Sequence, residues 1–183
     1  SLIGDDTPAE AVLHFPDGLV DFLRHGLGER QTLTPVPFAG HATFPDKSGE
    51  VHWAIHWPLD GDGAMHSYCN TIPTPQGGSH ETALRSALAR GLRNYGDMTG
   101  NKKASQITAE DVVGGACIML SVFIQDPQFQ GQTKERLTSP AATKLVEGPL
   151  RDHFELWLSG DPSSANDLLE RVLERAEERQ RRR

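Results

Sequence analysis

The segment Ala116–Ile124 (ACIMLSVFI) is apolar at all but one position, and this leaves few architectures open to the chain. Its second half is rich in β-branched and aromatic residues, which favours a strand over a helix. A strand without polar alternation has to be covered on both faces. The segment therefore predicts a central buried strand in an α/β sandwich, with helices packed on the sheet.

Two further segments have the pattern of strands. In Val51–Trp57 (VHWAIHW) the large apolar residues fall on one side and two histidines on the other. The turn-forming segment Leu59–Gly63 follows, and Met65–Ile72 is predicted as the next strand, so we expect a hairpin. Shorter strands are expected at Phe38–Phe44 and Val12–Phe15.

Helical spacing of apolar residues predicts three helices in the first two thirds of the chain. The longest begins at Ser79, a suitable N-cap residue. Its apolar stripe consists of Leu84, Ala87, Leu88, Gly91, Leu92 and Tyr95. A shorter helix with a capping box is expected at Thr108–Asp111, ending at Gly114. Leu19–Leu23 predicts one or two helical turns that close at Gly26.

Two more helices are predicted in the C-terminal third. Ser139, followed by proline, opens the first, and Pro149 is expected to kink it. The apolar stripe of this helix consists of Leu145, Val146, Leu150, Phe154, Trp157 and Leu158. Asp161, again followed by proline, opens the last helix, which is predicted to run to Arg183.

Length and composition limit the classes of function. With 183 residues, 37% of them hydrophobic and 23% charged, the chain has the composition of a soluble globular domain. No apolar run reaches the roughly 18–20 residues that span a bilayer, so no membrane segment is expected. The net charge of −7 argues against a surface that binds nucleic acid throughout. The N-terminus has neither an initiator Met nor a signal peptide, so we expect a piece of a longer protein. Cys69 and Cys117 are expected to be buried, reduced thiols of a cytosolic protein.

The segment Asp126–Arg136 (DPQFQGQTKER) directly follows the predicted central strand, where α/β sheets place ligand-binding loops. Gly131 allows a sharp turn, and Gln132 and Lys134 would point to the same side of an extended loop. An amide beside an ammonium suits a terminal phosphate, because Lys supplies the charge and Gln supplies further donors. A solvated surface loop explains the same residues, and the residue types alone leave both interpretations open.

Three motifs, in order along the chain, resemble the B subunits of DNA gyrase and topoisomerase IV. Phe15–Leu23 (FPDGLVDFL) resembles their upstream strand–turn–helix, and Asn70–His80 (NTIPTPQGGSH) their strand-to-helix signature. Asp126–Lys134 resembles their Gln-Thr-Lys loop, so the resemblance covers almost the whole chain. Ile72–Thr74 and Glu135–Leu137 are more similar to topoisomerase IV than to gyrase.

The resemblance implies a fold and a domain organisation. Residues 1–160 would form the transducer, an α/β sandwich similar to domain 2 of ribosomal protein S5, with a sheet covered by helices. Residues 161–183 would form an extended C-terminal helix that leads towards the DNA-cleavage core. The intact protein would be an ATP-hydrolysing type IIA topoisomerase that uses ATP and Mg²⁺. This fragment alone would bind neither and would be inactive, because the family's catalytic Glu and metal-binding Asn belong to the preceding domain.

The resemblance also implies site residues. Gln132 and Lys134 would contact the γ-phosphate of ATP held in the preceding domain, with Lys134 as the catalytic residue. Gly131, Gly77 and Gly78 would shape the loops around this contact. No metal site is expected in the chain itself.

The implied partners are the A subunit of topoisomerase IV, DNA and a second B subunit, on the chromosome in the cytoplasm and away from any membrane. The implied role of the intact protein is chromosome segregation. One alternative is an equivalent ATPase relay from gyrase or from a mismatch-repair protein. Another is a stand-alone S5-like nucleic-acid-binding module, against which the acidic composition counts.

Histidines near the predicted hairpin suggest a metal site. His52 and His56 share a strand face, and His66 is expected across the hairpin. Zinc sites need a closed set of clustered ligands, and Cys69 falls on the opposite face from His66. Polar residues on a solvated face explain these histidines better than a metal site does.

Two charged groups have two interpretations each. His80 and Glu81, after two glycines, suggest an acid–base pair or an anion site, while turn glycines and a helix N-terminus explain them more simply. The last helix carries arginines at four-residue spacing on one face: Arg171, Arg175, Arg179 and Arg183. Arg–Glu pairs three residues apart favour a salt-bridged solvent face. The resemblance favours a stripe that lines a DNA-sized cavity, and both interpretations stay open.

Overall fold

The structure, a computed structural model, describes residues 16–60 and 62–182. The strand predicted at Val12–Phe15 lies outside these residues. In chain order the helices are α1 (Pro16–Leu27), α2 (Ser79–Met98), α3 (Ala109–Val113), α4 (Pro140–Gly160) and α5 (Pro162–Arg181), with a 3-10 helix (Lys102–Gln106) before α3. The strands are β1 (Phe38–Thr43), β2 (Gly49–His56), β3 (Ala64–Cys69), β4 (Ile72–Pro73), β5 (Cys117–Ile124), β6 (Phe129–Gln130) and β7 (Arg136–Leu137).

Strand β5 lies in the middle of a sheet with the order β1-β2-β5-β3-β4. It pairs antiparallel with β2 and parallel with β3. The predicted hairpin between β2 and β3 is therefore wrong, because β5 separates the two strands. Since β5 is apolar on both faces, it gains most from the central position.

Helices cover both faces of β5, as predicted. On one face α1 packs Leu19, Leu23 and Leu27 against a cluster that includes Met119 of β5. His52 and His56 are buried on this side of the sheet, with 4% and 5% of their surface exposed. The expectation that they lie on a solvated face is wrong, because the polar side of β2 is covered by a second layer.

Helices α2 and α4 pack on the other face of the sheet. The predicted stripe of α2 is buried, and Gly91 lets Phe154 approach closely: a Cβ there would lie 2.8 Å from Phe154 Cδ2. The N-cap of α2 is Gly78, one residue before the predicted Ser79. Helix α4 begins after Ser139, as predicted, and runs through Pro149.

Helix α5 adds its apolar stripe to the same core. The stripe consists of Leu168, Leu169, Val172, Leu173 and Ala176, all buried. Asp161 caps the helix, with its carboxylate accepting from Ser164 N–H at 3.3 Å. Within residues 16–60 and 62–182, no helix is long and apolar enough to cross a membrane. A mixed sheet covered by helices on both faces is the α/β sandwich that the sequence pattern predicts.

Candidate functional site

A small hairpin follows the C-terminal end of the central strand. Strands β6 and β7 pair antiparallel, and residues 131–135 form the tip. The tip is a tight turn in which Gly131 has a φ of 77°, so it is not the extended loop assumed for Gln132 and Lys134. Both side chains are nevertheless exposed. The tip thus presents an amide and an ammonium to the surroundings from a short, paired support.

Lys134 combines an unusual backbone with a side chain that has no charge partner among the residues that the structure describes. Its φ of 58° lies in the left-handed region, which costs a non-glycine residue about 1–3 kcal/mol where the surroundings impose it. Its ammonium forms no ion pair with any residue that the structure describes. A cation held in this way keeps its hydrogen-bonding capacity for a group outside the chain.

The hairpin is anchored to the turn that precedes α2. The N–H of Leu137 donates to the carbonyl of Gly77 at 3.0 Å, and the N–H of Gln76 donates to the carbonyl of Glu135 at 3.0 Å. The amide of Gln76 also donates from Nε2 to Glu135 Oε2 at 2.6 Å. This last contact occupies the carboxylate next to Lys134, so that the acid adjacent in sequence is bound elsewhere.

Close packing makes glycine necessary at the anchor. Gly78 has a φ of 135°, and a Cβ there would lie 2.1 Å from the carbonyl oxygen of Leu137. Backbone cannot move aside as a side-chain end can, so any larger residue would separate the turn from β7. Gly77, with a φ of 74°, completes the turn.

The other arm of the hairpin is tied to the start of α4. The N–H of Gln128 donates to Ser139 Oγ at 2.6 Å, and the N–H of Thr138 donates to the carbonyl of Gln128 at 2.7 Å. Ser79 Oγ donates to the carbonyl of Ser139 at 2.8 Å. The hairpin is therefore held between the N-termini of α2 and α4, and its tip is the part that projects.

A buried chain of polar side chains lies below the same turn. His80 Nε2 is 2.9 Å from Thr74 Oγ1, which is 2.7 Å from Ser67 Oγ, and Ser67 in turn donates to Glu81. His80 has no exposed surface, and burial lowers its pKa to about 4. His80 and Glu81 are thus linked through two hydroxyls and do not form the direct acid–base pair considered from the sequence.

The arginine stripe of α5 faces the body of the protein. Arg179 donates from Nε and Nη2 to the two carboxylate oxygens of Asp111, both at 3.1 Å. Arg171 donates to the carbonyl of Leu59 at 3.2 Å. Arg175 lies over Gly115, where a Cβ would be 2.4 Å from its Nη2. The fourth arginine, Arg183, lies outside the described residues.

Asp111 is the partner that the sequence did not connect with this stripe. It forms the predicted capping box with Thr108 and is buried, with 4% of its side chain exposed. Burial by itself would raise the pKa of this carboxyl, but hydrogen bonds from Arg179 and Thr108 lower it below the usual value. Glu178, three residues after Arg175, forms an ion pair with Arg182 at 2.7 Å.

The histidines on the sheet do not come together as a metal site in the part of the chain that the structure describes. His52 stacks on His41 with ring centroids 5.5 Å apart, and its Nε2 is 3.3 Å from Glu50 Oε1. His66 is separated from His52 by β5, because β3 pairs on the far side of that strand. Cys69 is buried, and burial raises its thiol pKa to about 11.

The sequence motifs identified the projecting residues but missed the residues that hold them. Gln76 and Glu135 lie 59 positions apart, and Ser67 and Thr74 meet across the β3–β4 turn. Their residue types are common in loops, so only the closed fold distinguishes them from solvated side chains.

Comparison with known proteins gives consistent matches over this whole region. A sequence model of the family described as DNA gyrase B matches residues 18–183. The B subunit of DNA topoisomerase 4 from Caulobacter vibrioides is 51% identical over 187 residues, covering 100% of this chain and 27% of that protein. The same subunit from Bartonella bacilliformis is 49% identical, covering 96% of this chain and 25% of that protein. The chain thus spans about a quarter of the length of these relatives.

Solved structures match the fold at similar coverage. The topoisomerase IV ATP-binding domain of Francisella tularensis, in complex with a small-molecule inhibitor, superposes with a TM-score of 0.80 at 28% identity, covering 93% of this chain and 51% of that one. The 43K ATPase domain of Thermus thermophilus gyrase B, in complex with an aminocoumarin, gives a TM-score of 0.79 at 28% identity, covering 89% of this chain and 44% of that one.

Proposed function

Since this chain belongs to the DNA gyrase B family, we propose that it is the transducer segment of a topoisomerase IV B subunit. In this proposal Gln132 and Lys134 contact the γ-phosphate of ATP bound with Mg²⁺ in the domain that precedes the chain. The contact couples ATP binding and hydrolysis to movement of the protein and to DNA strand passage. The relatives at 51% and 49% identity, both B subunits of topoisomerase 4, support topoisomerase IV over gyrase.

The observation that carries the proposal is the ammonium of Lys134, which stands on an anchored hairpin and forms no ion pair with any described residue. A terminal phosphate offers oxygen acceptors, and Lys134 supplies a compact charge with donors that can reach several of them. Gln132, also exposed, adds neutral donors two residues away. The anchors at Gln76 and Ser139 hold the support in place, so little ordering entropy is lost when a phosphate binds.

The relay follows from a contact that exists in one nucleotide state and not in the other. A hydrogen bond to a charged group contributes about 1.5–3 kcal/mol. When the γ-phosphate leaves, this contribution disappears, and the position of the hairpin near the nucleotide is no longer stabilised. A difference of about 1.4 kcal/mol already changes the ratio of two conformations tenfold, so one lysine is enough to bias a hinge between domains.

In the whole protein the proposed partners are the A subunit, DNA and a second B subunit, in the cytoplasm on the chromosome. We propose that residues 1–160 act as the transducer and that the helix in residues 161–183 leads on to the DNA-cleavage part. The charge of Arg179 is neutralised by Asp111, whereas Arg171 donates to a backbone carbonyl. Contact with DNA phosphates is therefore assigned to Arg171 before Arg179.

The test is Lys134→Ala in the intact B subunit assembled with its A subunit. ATP turnover and strand passage are expected to fall at least about tenfold, because the terminal phosphate loses a charged partner. Lys102→Ala removes another exposed lysine and is the matched control, with turnover expected at the wild-type level. Thermal unfolding of both variants should match wild type. Wild-type turnover in Lys134→Ala would overturn the proposal.

A further inference from the structure

The buried polar chain of Ser67, Thr74, His80 and Glu81 has a definite direction of hydrogen bonding. A carboxylate only accepts, so the single hydroxyl hydrogen of Ser67 goes to Glu81, which is closer than its other acceptor, the carbonyl of Thr74 at 3.3 Å. Ser67 Oγ then accepts from the hydroxyl of Thr74, which is 2.7 Å away. With its own hydrogen used, Thr74 Oγ1 accepts from His80 Nε2, at 2.9 Å.

This direction determines the tautomer of His80. Nε2 carries the hydrogen, and Nδ1 carries a lone pair with no partner among the residues that the structure describes. The opposite tautomer would leave a buried N–H without an acceptor and would break the chain at Thr74. Because burial favours the neutral ring, the arrangement persists at neutral pH.

The buried polar chain connects to the hairpin through the turn before α2. The carbonyl of Thr74 accepts from Gly77 N–H at 2.8 Å, and the carbonyl of Gly77 accepts from Leu137 N–H at 3.0 Å. The carboxylate of Glu81 packs against Gly77, since a Cβ there would be 2.9 Å from Glu81 Oε1. Thr74 and Glu81, two residues of the buried polar chain, thus contact the turn on both sides, and the turn in turn binds β7.

We propose that the buried polar chain positions the hairpin, so that Thr74 and His80 set where Gln132 and Lys134 stand relative to the nucleotide. The inference rests on the function proposed above for those two residues. In this proposal none of the four residues contacts the phosphate. They act through the turn at Gly77 and Gly78, which makes them positioning residues for the reaction.

The first experiment uses the 183-residue chain and needs no nucleotide. Thr74→Val removes the central hydroxyl at nearly constant volume, and Thr74→Ser retains it. Amide exchange of Leu137 and Gln76 is expected to rise about tenfold in Thr74→Val and to stay within about twofold of wild type in Thr74→Ser. Exchange of the β5 amides serves as the internal reference, because a global loss of stability would raise all amides together.

Thr34→Val is the matched control for loss of a buried hydroxyl. Thr34 is fully buried, and its Oγ1 donates to the carbonyl of Val36 at 3.0 Å, away from the hairpin. Selective exchange at Leu137 in Thr74→Val, absent in Thr34→Val, supports the inference. An exchange pattern shared by the two variants overturns it. The ¹⁵N shifts of His80 provide a second check: a hydrogen on Nδ1 contradicts the assigned direction.

The second experiment uses the intact B subunit with its A subunit and compares Thr74→Val, Lys134→Ala and the double variant. If the buried polar chain acts through Lys134, Thr74→Val lowers ATP turnover in the wild-type background. In the Lys134→Ala background it causes no further loss of turnover. Additive losses overturn the inference even if Lys134→Ala lowers ATP turnover as proposed above. Selective exchange at Leu137 together with normal turnover in Lys134→Ala would instead refute the phosphate contact and leave the positioning of the hairpin intact.

Discussion

Lys134 and Arg179 are both cations in motifs that suggest phosphate contact, yet they stand in opposite environments. Lys134 projects from a hairpin tip and forms no ion pair with the described residues, while Arg179 binds both carboxylate oxygens of buried Asp111. The difference lies in the contacts that anchor the two elements to the rest of the protein. The hairpin is anchored by backbone and amide contacts that leave its tip charge unused, whereas α5 is anchored by the charge itself. In this protein the cation that takes no part in anchoring, Lys134, is the one that remains available to a ligand.

The two regions also use glycine differently, and this gives the largest expected effect. Gly78 abuts the backbone of β7, while Gly115 abuts the end of the flexible Arg175 side chain. We expect Gly78→Ala to destabilise the chain by about 3 kcal/mol and Gly115→Ala by about 1 kcal/mol. Urea unfolding of the two variants measures both values. Equal losses would show that the contact at β7 is as adaptable as the one at Arg175.

Acid should affect the base of the hairpin before it affects the α5 anchor. The pKa of His80 is about 4 when folded against 6.5 when unfolded, so its contribution is complete above pH 6.5 and declines as the pH falls towards 4. Between pH 7 and pH 5 the free energy of unfolding is therefore expected to fall by about 2 kcal/mol on account of His80. Asp111 has a lowered pKa, so the stability it contributes is present above its unfolded value of 3.8 and is lost only as the pH falls further.

Urea unfolding of the chain between pH 7 and pH 5 measures the slope of the free energy of unfolding against pH. His56, whose pKa burial also lowers to about 4, adds to the wild-type slope. His80→Gln should therefore remove the part of the slope that His80 contributes, while the part contributed by His56 remains. A slope unchanged by His80→Gln would mean that folding does not lower the pKa of His80.

The anchor of α5 should be more sensitive to neutralisation than the hairpin tip. Asp111→Asn removes the charge that holds Arg179 and weakens the capping box, and we expect a loss of about 1–2 kcal/mol. Lys134→Ala should change stability by no more than about 0.5 kcal/mol, because no described residue pairs with the ammonium. Thermal unfolding of the chain compares the two. A large loss in Lys134→Ala would contradict the description of its charge as unused.

Binding to DNA should distinguish the arginines within the stripe, with the smallest effect of the series. In the intact B subunit, Arg171→Ala is expected to reduce the slope of log Kobs against log salt by about 1. Arg179→Ala should change the slope less, because Asp111 already neutralises that side chain. Fluorescence titrations of duplex DNA at several salt concentrations measure the slopes. A larger change in Arg179→Ala would reverse the assignment between the two arginines.

Local pattern predicted much of the fold and the residues at the tip of the site. The apolar run became the central strand β5, the stripe of α2 became its buried face, and Thr108 and Asp111 formed the expected capping box. These features depend on contacts between neighbours in sequence or on a periodicity of one element. The family resemblance, confirmed by the match over residues 18–183, located the Gln-Thr-Lys loop in the same way.

The amino-acid sequence by itself determined helices α1–α5, the longer strands β1, β2, β3 and β5, and the residues that identify the family. It did not predict the short strands β4, β6 and β7. Tertiary structure alone decided that β5 separates β2 from β3, that His52 and His56 are covered, and that Asp111 neutralises Arg179. The reason is physical. Strand order, burial and ion pairing depend on the energies of contact between segments far apart in the chain. A local sequence pattern does not specify which distant segment will pack against it.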